Sequence, residues 1–195
     1  MNPFEPVRDE MLTRAKVPMT KEEVRWVSVA RLGVQPGDTV WDVGAGTGAV
    51  TFELARKAMD GAVFAVERNT EAIELIAQNR QKLGGFNVHI VQGHAPEVLA
   101  YLPKPNCVFV GGSGGNMREI IETALKKNPE TRIAVNAIAL ETLQETQRLF
   151  AEFGLQQVEI TQLSAARGKS IGCYTMMTAN NPVFILSGKG AKYGE

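Results

Sequence analysis

Residues 41–50 read Trp41-Asp-Val-Gly-Ala-Gly-Thr-Gly-Ala-Val50, and the reading of this stretch decides the fold. Ahead of it, a Gln35-Pro-Gly-Asp38 turn leads into a short apolar run at 39–43 that has the character of a buried strand. Behind it, apolar residues recur at helical spacing over about 49–59. Gly44, Gly46 and Gly48 therefore fall where a strand hands over to a helix. Glycine at such a handover permits positive φ and lets a ligand approach the backbone with no Cβ in the way. In open α/β sheets, ligands bind beyond the carboxyl ends of the strands, beside the point where strand order reverses. Composition and position both mark residues 44–48 as a binding loop.

Working outward, the rest of the chain repeats the same alternation. Strand-like runs fall at 39–43, 61–66, 88–92, 107–110, 132–138 and 182–187, with helical patterns at about 49–59, 70–83, 96–102, 117–127 and 140–153. This rhythm predicts crossover units and an α/β fold, a mostly parallel sheet covered on both faces. After Gly154 the rhythm changes. Gln156–Leu163 alternates as a strand with no helix before the last one, so an antiparallel hairpin is expected at one end of the sheet. The long connection at 164–181 is expected to be a functional loop, with Arg167 and Lys169 as candidate carboxylate clamps. Upstream, residues 1–19 read as an irregular arm. Thr20-Lys-Glu-Glu23 predicts a capping box opening a helix that Gly33 stops. The expected organisation is one domain over 1–195: arm and helix at 1–37, binding core at 38–154, hairpin and tail at 155–195.

Composition narrows the partners. Lys+Arg and Asp+Glu both number 21, so the chain has no basic excess of the kind nucleic-acid binding requires, and no nucleic acid is expected. No run approaches the roughly 18 apolar residues that suggest a membrane span. Met1-Asn-Pro-Phe-Glu-Pro lacks the basic and apolar regions of a secretion signal, and a cytoplasmic protein is expected. Cys107 and Cys173 lack metal or redox spacing and are expected to be buried thiols. No metal site is expected.

Two further segments bear on the ligand. Glu67 closes the second strand-like run, where a carboxylate accepts hydrogen bonds from a ribose diol, each worth about 1.5–3 kcal/mol. Val91-Gln-Gly-His-Ala-Pro96 follows the third, and the backbone at Ala95 is placed to read the edge of an adenine. His89, inside that strand, reads as structural, and His94 as a residue that caps or stacks. Gly44-x-Gly46-x-x-Ala49 also satisfies a dinucleotide fingerprint, which keeps NAD as an alternative. Asp42, two residues before the first glycine, favours S-adenosylmethionine: a carboxylate there binds a cationic amino group or braces the loop. The third glycine, Gly48, leaves room for a nucleoside carrying an amino acid.

Taken together, Asp42-x-Gly-x-Gly-x-Gly48, Glu67 and Gly93-His-Ala95 resemble the first three cofactor segments of class I methyltransferases. One departure is His94, where that superfamily usually carries an acid. The resemblance implies a Rossmann-like three-layer sandwich with seven strands in the order 3-2-1-4-5-7-6 and a C-terminal antiparallel hairpin. Val17-Pro-Met-Thr-Lys-Glu-Glu-Val-Arg25 and Phe109-Val-Gly-Gly-Ser-Gly-Gly115 further resemble the decarboxylating cobalt-precorrin-6B C15-methyltransferases of cobalamin synthesis.

That resemblance implies an S-adenosylmethionine-dependent enzyme that methylates C15 of a corrin precursor and removes carbon dioxide from the ring C acetate. It implies Thr20, Gly44, Ala45, Gly46, Thr47, Gly48, Glu67 and Ala95 as cofactor contacts. It also implies a homo-oligomer, a tetramer in that family, and a separate C5-methyltransferase. For the tetrapyrrole, the chain offers Gly112, Ser113 and Gly114 as amide and hydroxyl donors, with Asn136 at the end of the fifth strand. No residue is singled out as a catalytic acid or base. Class I methyltransferases acting on isoaspartyl protein or on tRNA share the loop and the rhythm, and stand as alternative readings.

Overall fold

The computed structural model describes residues 5–191. Nine strands and five α-helices follow one another as β1 Thr39–Val43, α2 Ala49–Lys57, β2 Ala62–Glu67, α3 Thr70–Leu83, β3 Val88–Gln92, β4 Cys107–Val110, α4 Met117–Lys127, β5 Arg132–Ala137, α5 Leu140–Glu152, β6 Gln156–Leu163, β7 Ala166–Ile171, β8 Tyr174–Ala179 and β9 Val183–Lys189, with α1 Glu22–Leu32 ahead of them. Seven strands form one sheet in the order β3-β2-β1-β4-β5-β9-β6. β9 runs antiparallel to both β5 and β6, and the other pairings are parallel. This is the class I methyltransferase arrangement, with the expected antiparallel pair at one end. Strand order reverses at β1, which lies between β2 and β4, so the loop after β1 opens at the switch point.

The period of two along each strand divides the core into two layers. Val40, Ala65, Phe109 and Ala134 pack on one face against Val29 and Leu32 of α1, Phe52 and Leu54 of α2, and Ile76 of α3. Trp41, Val43, Val108, Val110 and Val135 face the other way, against Ile120 and Ile121 of α4 and Leu149 and Phe150 of α5. The same alternation puts Asp42 on the Val40 side, where the Thr51 hydroxyl of α2 donates to it over 2.5 Å.

Several expectations need correcting. The Thr20–Glu23 capping box is absent: α1 starts at Glu22, its N-cap is Lys21, and no side chain caps it. The Glu23 carboxylate is engaged elsewhere, and the Thr20 backbone is tied to Arg25. Arg25 Nη1 donates to the Thr20 carbonyl over 2.7 Å, and Arg167 holds both carboxylate oxygens of Glu23. Gly33 does end the helix, at φ 64° with its N–H on the carbonyls of Val29 and Ala30. The pattern at 96–102 forms only a 3-10 turn, Glu97–Tyr101.

The segment at 164–181 is not a loop. β7 and β8 pair over six residues as a separate antiparallel hairpin. Most of its side chains are exposed, so no buried face imprinted an apolar alternation on the sequence. Cys173 sits in the turn of this hairpin and is exposed, against the expectation of a buried thiol, whereas Cys107 is buried. His89 is likewise exposed and stacks on Phe64 at 4.9 Å between ring centroids.

Candidate active site

A cavity of about 960 Å³ opens beyond the carboxyl ends of β1, β2, β4 and β5. Of the residues expected at the site, Thr20, Gly44, Ala45, Gly46, Glu67, Ala95, Gly112, Ser113, Gly114 and Asn136 all line it. Thr47 and Gly48 do not. Thr47 is buried behind the loop, its carbonyl accepting from Asn79 Nδ2 over 3.0 Å. Gly48 is the N-cap of α2 at φ 78°, where an added Cβ would stand 2.7 Å from the Phe52 ring. Both residues shape the loop from behind.

Gly44 shows why the loop is glycine-rich. Its φ is +73°, and an added Cβ would meet the backbone oxygen of Gly112 at 2.6 Å. The glycine run after β4 is thus packed directly on the glycine loop after β1. Gly111 donates to the Val43 carbonyl over 2.9 Å, which seats the second run at the end of the first strand. Gly112 differs from Gly44, because a Cβ built on it meets nothing within 4 Å.

Two carboxylates flank the loop. Asp42 is 1% exposed; one of its oxygens accepts from Thr51 and the other, Oδ1, is buried without a partner. Burial pushes its carboxyl up to about 7, with Glu67 adding a like-charge contribution and the Thr51 hydroxyl opposing both. Glu67 ends β2. Its Oε2 accepts from the Gly46 amide over 2.9 Å, and its Oε1 accepts from the Arg68 and Asn69 amides over 2.8 and 2.9 Å. A carboxylate offers about four acceptor positions. Three are taken by protein amides, so Glu67, which lines the cavity, braces the glycine loop and retains one acceptor position.

The arm at residues 16–21 closes the cavity from the far side: the Pro18 carbonyl would lie 3.3 Å from a Cβ at Gly46. Arg25, fully buried, ties this arm down. Its guanidinium donates to the carbonyls of Thr20 and Val7 and pairs with Asp9 at 3.2 Å. The Ala95 turn is held from α4, where Asn116 Nδ2 donates to the Ala95 carbonyl over 3.1 Å. Ala95 itself lines the cavity. His94 also lines the cavity.

On the opposite wall, the Ser28 hydroxyl lies 2.8 Å from Asn136 Oδ1 and also 2.8 Å from the Val24 carbonyl. One hydroxyl has one proton, so these contacts compete, and Asn136 Nδ2 is left buried without a partner. The loop candidates Arg167 and Lys169 lie outside the cavity lining. Arg167 is bound to Asp9, Glu22 and Glu23, and it holds the Glu23 carboxyl below the usual carboxylate range. Sequence reasoning missed Lys16, Lys21 and Arg68, all of which do line the cavity. Among the described residues, no group of His, Cys, Asp and Glu has the arrangement of a metal centre, and no helix is long and apolar enough to cross a membrane.

Comparison with known proteins places this geometry. Residues 13–189 match the family described as the precorrin methyltransferase domain. A protein of Pyrobaculum calidifontis, described as a probable cobalt-precorrin-6B C(15)-methyltransferase (decarboxylating), is 42% identical over 93% of this chain and 94% of its own length. The crystal structure of a precorrin-6Y C5,15-methyltransferase from Geobacter metallireducens aligns with a TM-score of 0.88 at 35% identity, covering 94% of this chain and 97% of that one. A precorrin-8W decarboxylase from Methanobacterium thermoautotrophicum aligns with a TM-score of 0.87 at 38% identity, covering 93% and 98%. With the fold, the paired glycine runs and these matches over nearly its whole length, the chain belongs to the precorrin methyltransferase family and is a methyltransferase.

Proposed function

We propose that this cavity binds S-adenosylmethionine beside a tetrapyrrole, and that the enzyme methylates C15 of cobalt-precorrin-6B with loss of carbon dioxide from the ring C acetate. The observation that carries this reading is the contact of Gly44 with Gly112. It joins a nucleoside-type cradle to an acceptor wall, Gly111-Gly-Ser-Gly-Gly115, that has no acidic or bulky side chain, within one cavity.

The residues present fit the cofactor. The glycine loop presents bare backbone, Glu67 keeps an acceptor position for a ribose hydroxyl, and the Ala95 turn offers an amide for an adenine edge. Asp42 contributes a buried oxygen without a partner next to the loop. When bound, S-adenosylmethionine supplies a methyl group carried on a positively charged sulfur.

The chain's part is to orient and to neutralise. Asp42, once ionised, offsets positive charge held against the loop. Thr20, Gly44, Ala45 and Gly46 fix one reactant, while Gly112, Ser113, Gly114 and Asn136 fix the other. Backbone amides ahead of α4 suit the substrate's carboxylates, because a helix N-terminus favours negative charge. Alignment of this kind contributes about 7–11 kcal/mol in well-oriented reactions, so the proposal assigns no strong base to the methyl transfer.

The proposal extends to assembly and setting. Ile171, Tyr174 and Met176 share one face of the hairpin and are at least 52% exposed, apolar side chains suited to a second copy of the chain. Sedimentation equilibrium tests this: a homo-oligomer up to a tetramer is expected, and Met176→Asp with Tyr174→Asp should release monomers. Two free cysteines suit the reducing cytoplasm, and methylation at C5 falls to a separate enzyme. The decisive assay incubates the protein with methyl-labelled S-adenosylmethionine and cobalt-precorrin-6B. Label in the tetrapyrrole with matching release of carbon dioxide is expected. Label without carbon dioxide would remove the decarboxylation, and no label would remove the substrate.

A further inference from the structure

Of the charged side chains that line the cavity, the acids are mostly occupied and the bases are not. Asp42 is buried against Thr51, and Glu67 is engaged by three backbone amides, which leaves Glu71 as the exposed acid of the lining. Lys16, Lys21 and Arg68 line the same cavity, and among the described residues none of them has a carboxylate at ion-pair distance. Elsewhere arginines find acids: Arg118 and Arg148 share Glu152, Arg132 holds Asp38, and Arg167 takes three.

The positions of the three cations are also distinctive. Lys16 and Lys21 bracket the arm segment that packs on Gly46, and Lys21 is the N-cap residue of α1. Arg68 lines the cavity directly after β2. Its backbone amide is held by Glu67, and its guanidinium reaches within 3.6 Å of the Cβ position of Gly114, in the acceptor wall. The lining also carries apolar side chains, among them Met19, Val24, Ile138 and Val183. A cavity that combines apolar side chains with cations lacking a carboxylate partner is complementary to a flat macrocycle that carries carboxylates around its edge.

We propose that Lys16, Lys21 and Arg68 form a cationic rim that recognises the peripheral carboxylates of the tetrapyrrole, with Arg68 the specificity-determining member. This rests on the acceptor proposed above. Arg68 leads because a guanidinium meets a carboxylate with two parallel N–H donors, whereas each lysine acts as a point charge.

The test is calorimetry on the full chain with two probes, S-adenosylhomocysteine and enzymatically prepared cobalt-precorrin-6B. Arg68→Gln should weaken tetrapyrrole binding about tenfold, and the Lys16→Gln, Lys21→Gln, Arg68→Gln triple variant about thirtyfold or more, which is about 2 kcal/mol. Both should bind S-adenosylhomocysteine within about twofold of the wild type. The wild-type tetrapyrrole affinity should fall with added salt, and this sensitivity should shrink in the triple variant. In turnover the rise in KM should exceed the fall in kcat, and Arg68→Lys should restore part of the loss. Unchanged tetrapyrrole affinity in the triple variant overturns the rim, as does an equal loss for both probes, which would assign the cations to the cofactor. A wild-type protein that binds S-adenosylhomocysteine but no tetrapyrrole would instead overturn the acceptor on which the rim depends.

Discussion

Replacing Asp42 by Asn should change how the stability of this protein depends on pH. The carboxyl is 1% exposed and titrates at about 7 in the folded chain, against an ordinary value of 3.8. The sign follows from proton counting. Between 3.8 and about 7 the folded state keeps a proton that the unfolded state has lost, so stability falls as pH rises through this window. The difference, about 7 minus 3.8, is roughly 3 units, and at 1.36 kcal/mol per unit the penalty approaches 4 kcal/mol above pH 7. Asn cannot ionise and carries no such penalty. It does place an amide N–H₂ where Oδ1 lacks a partner, at a pH-independent cost of about 1–3 kcal/mol. Urea unfolding of both proteins from pH 4 to 9 separates the two effects. The free energy of unfolding of Asp42→Asn minus that of wild type should climb by several kcal/mol between pH 4 and 7, then level off. A difference that stays flat over that range would refute the buried, protonated carboxyl and the role given to its desolvation.

Other expectations are more direct. Glu67→Ala removes the brace on Gly46 along with the ribose acceptor, and calorimetry should find S-adenosylmethionine bound tenfold or more weakly, roughly 1.4 kcal/mol; unchanged affinity removes Glu67 from the site. Gly44→Ala puts a Cβ 2.6 Å from the Gly112 oxygen at φ +73° and should cost about 1–3 kcal/mol in denaturant unfolding, with cofactor affinity lost as well. Gly112→Leu projects into open space. It should leave the unfolding midpoint nearly unchanged and spare cofactor binding while blocking methyl transfer to the tetrapyrrole; equal loss of both would make the second run a support for the first. An aromatic disulfide that reports free thiols by absorbance should react at once with exposed Cys173, while Cys107, whose pKa burial pushes up, should react only on unfolding.

What could be read in the chain alone follows from locality. A strand of period two, a turn that demands positive φ and a helix of period 3.6 each leave their mark within about ten residues. So the handover at Val43–Ala49, the alternation through Ala137 and the pairing of a last antiparallel strand were all expressed in local pattern, and with them the class of fold. Glu67 was readable for the same reason, since the end of a strand beside a glycine loop is a fixed place in such a sheet.

The tertiary structure alone decided matters of partnership. Arg167 looked like a free cation in a polar loop, but folding delivers it to Asp9, Glu22 and Glu23, and Glu23 lies 144 residues away in the chain. The β7–β8 hairpin left no signal because neither of its faces is buried against the sheet. Thr47 and Gly48 share the motif of Gly44 and Gly46, yet the twist of the loop turns them away from the cavity and toward Asn79 and Phe52. That Gly112 rests on Gly44, and that Lys16, Lys21 and Arg68 meet around one cavity with no carboxylate of the described residues at ion-pair distance, are likewise facts of assembly. The sequence carries the propensity of each segment; which side chains are satisfied and which are left to meet a ligand depends on what the other segments bring beside them.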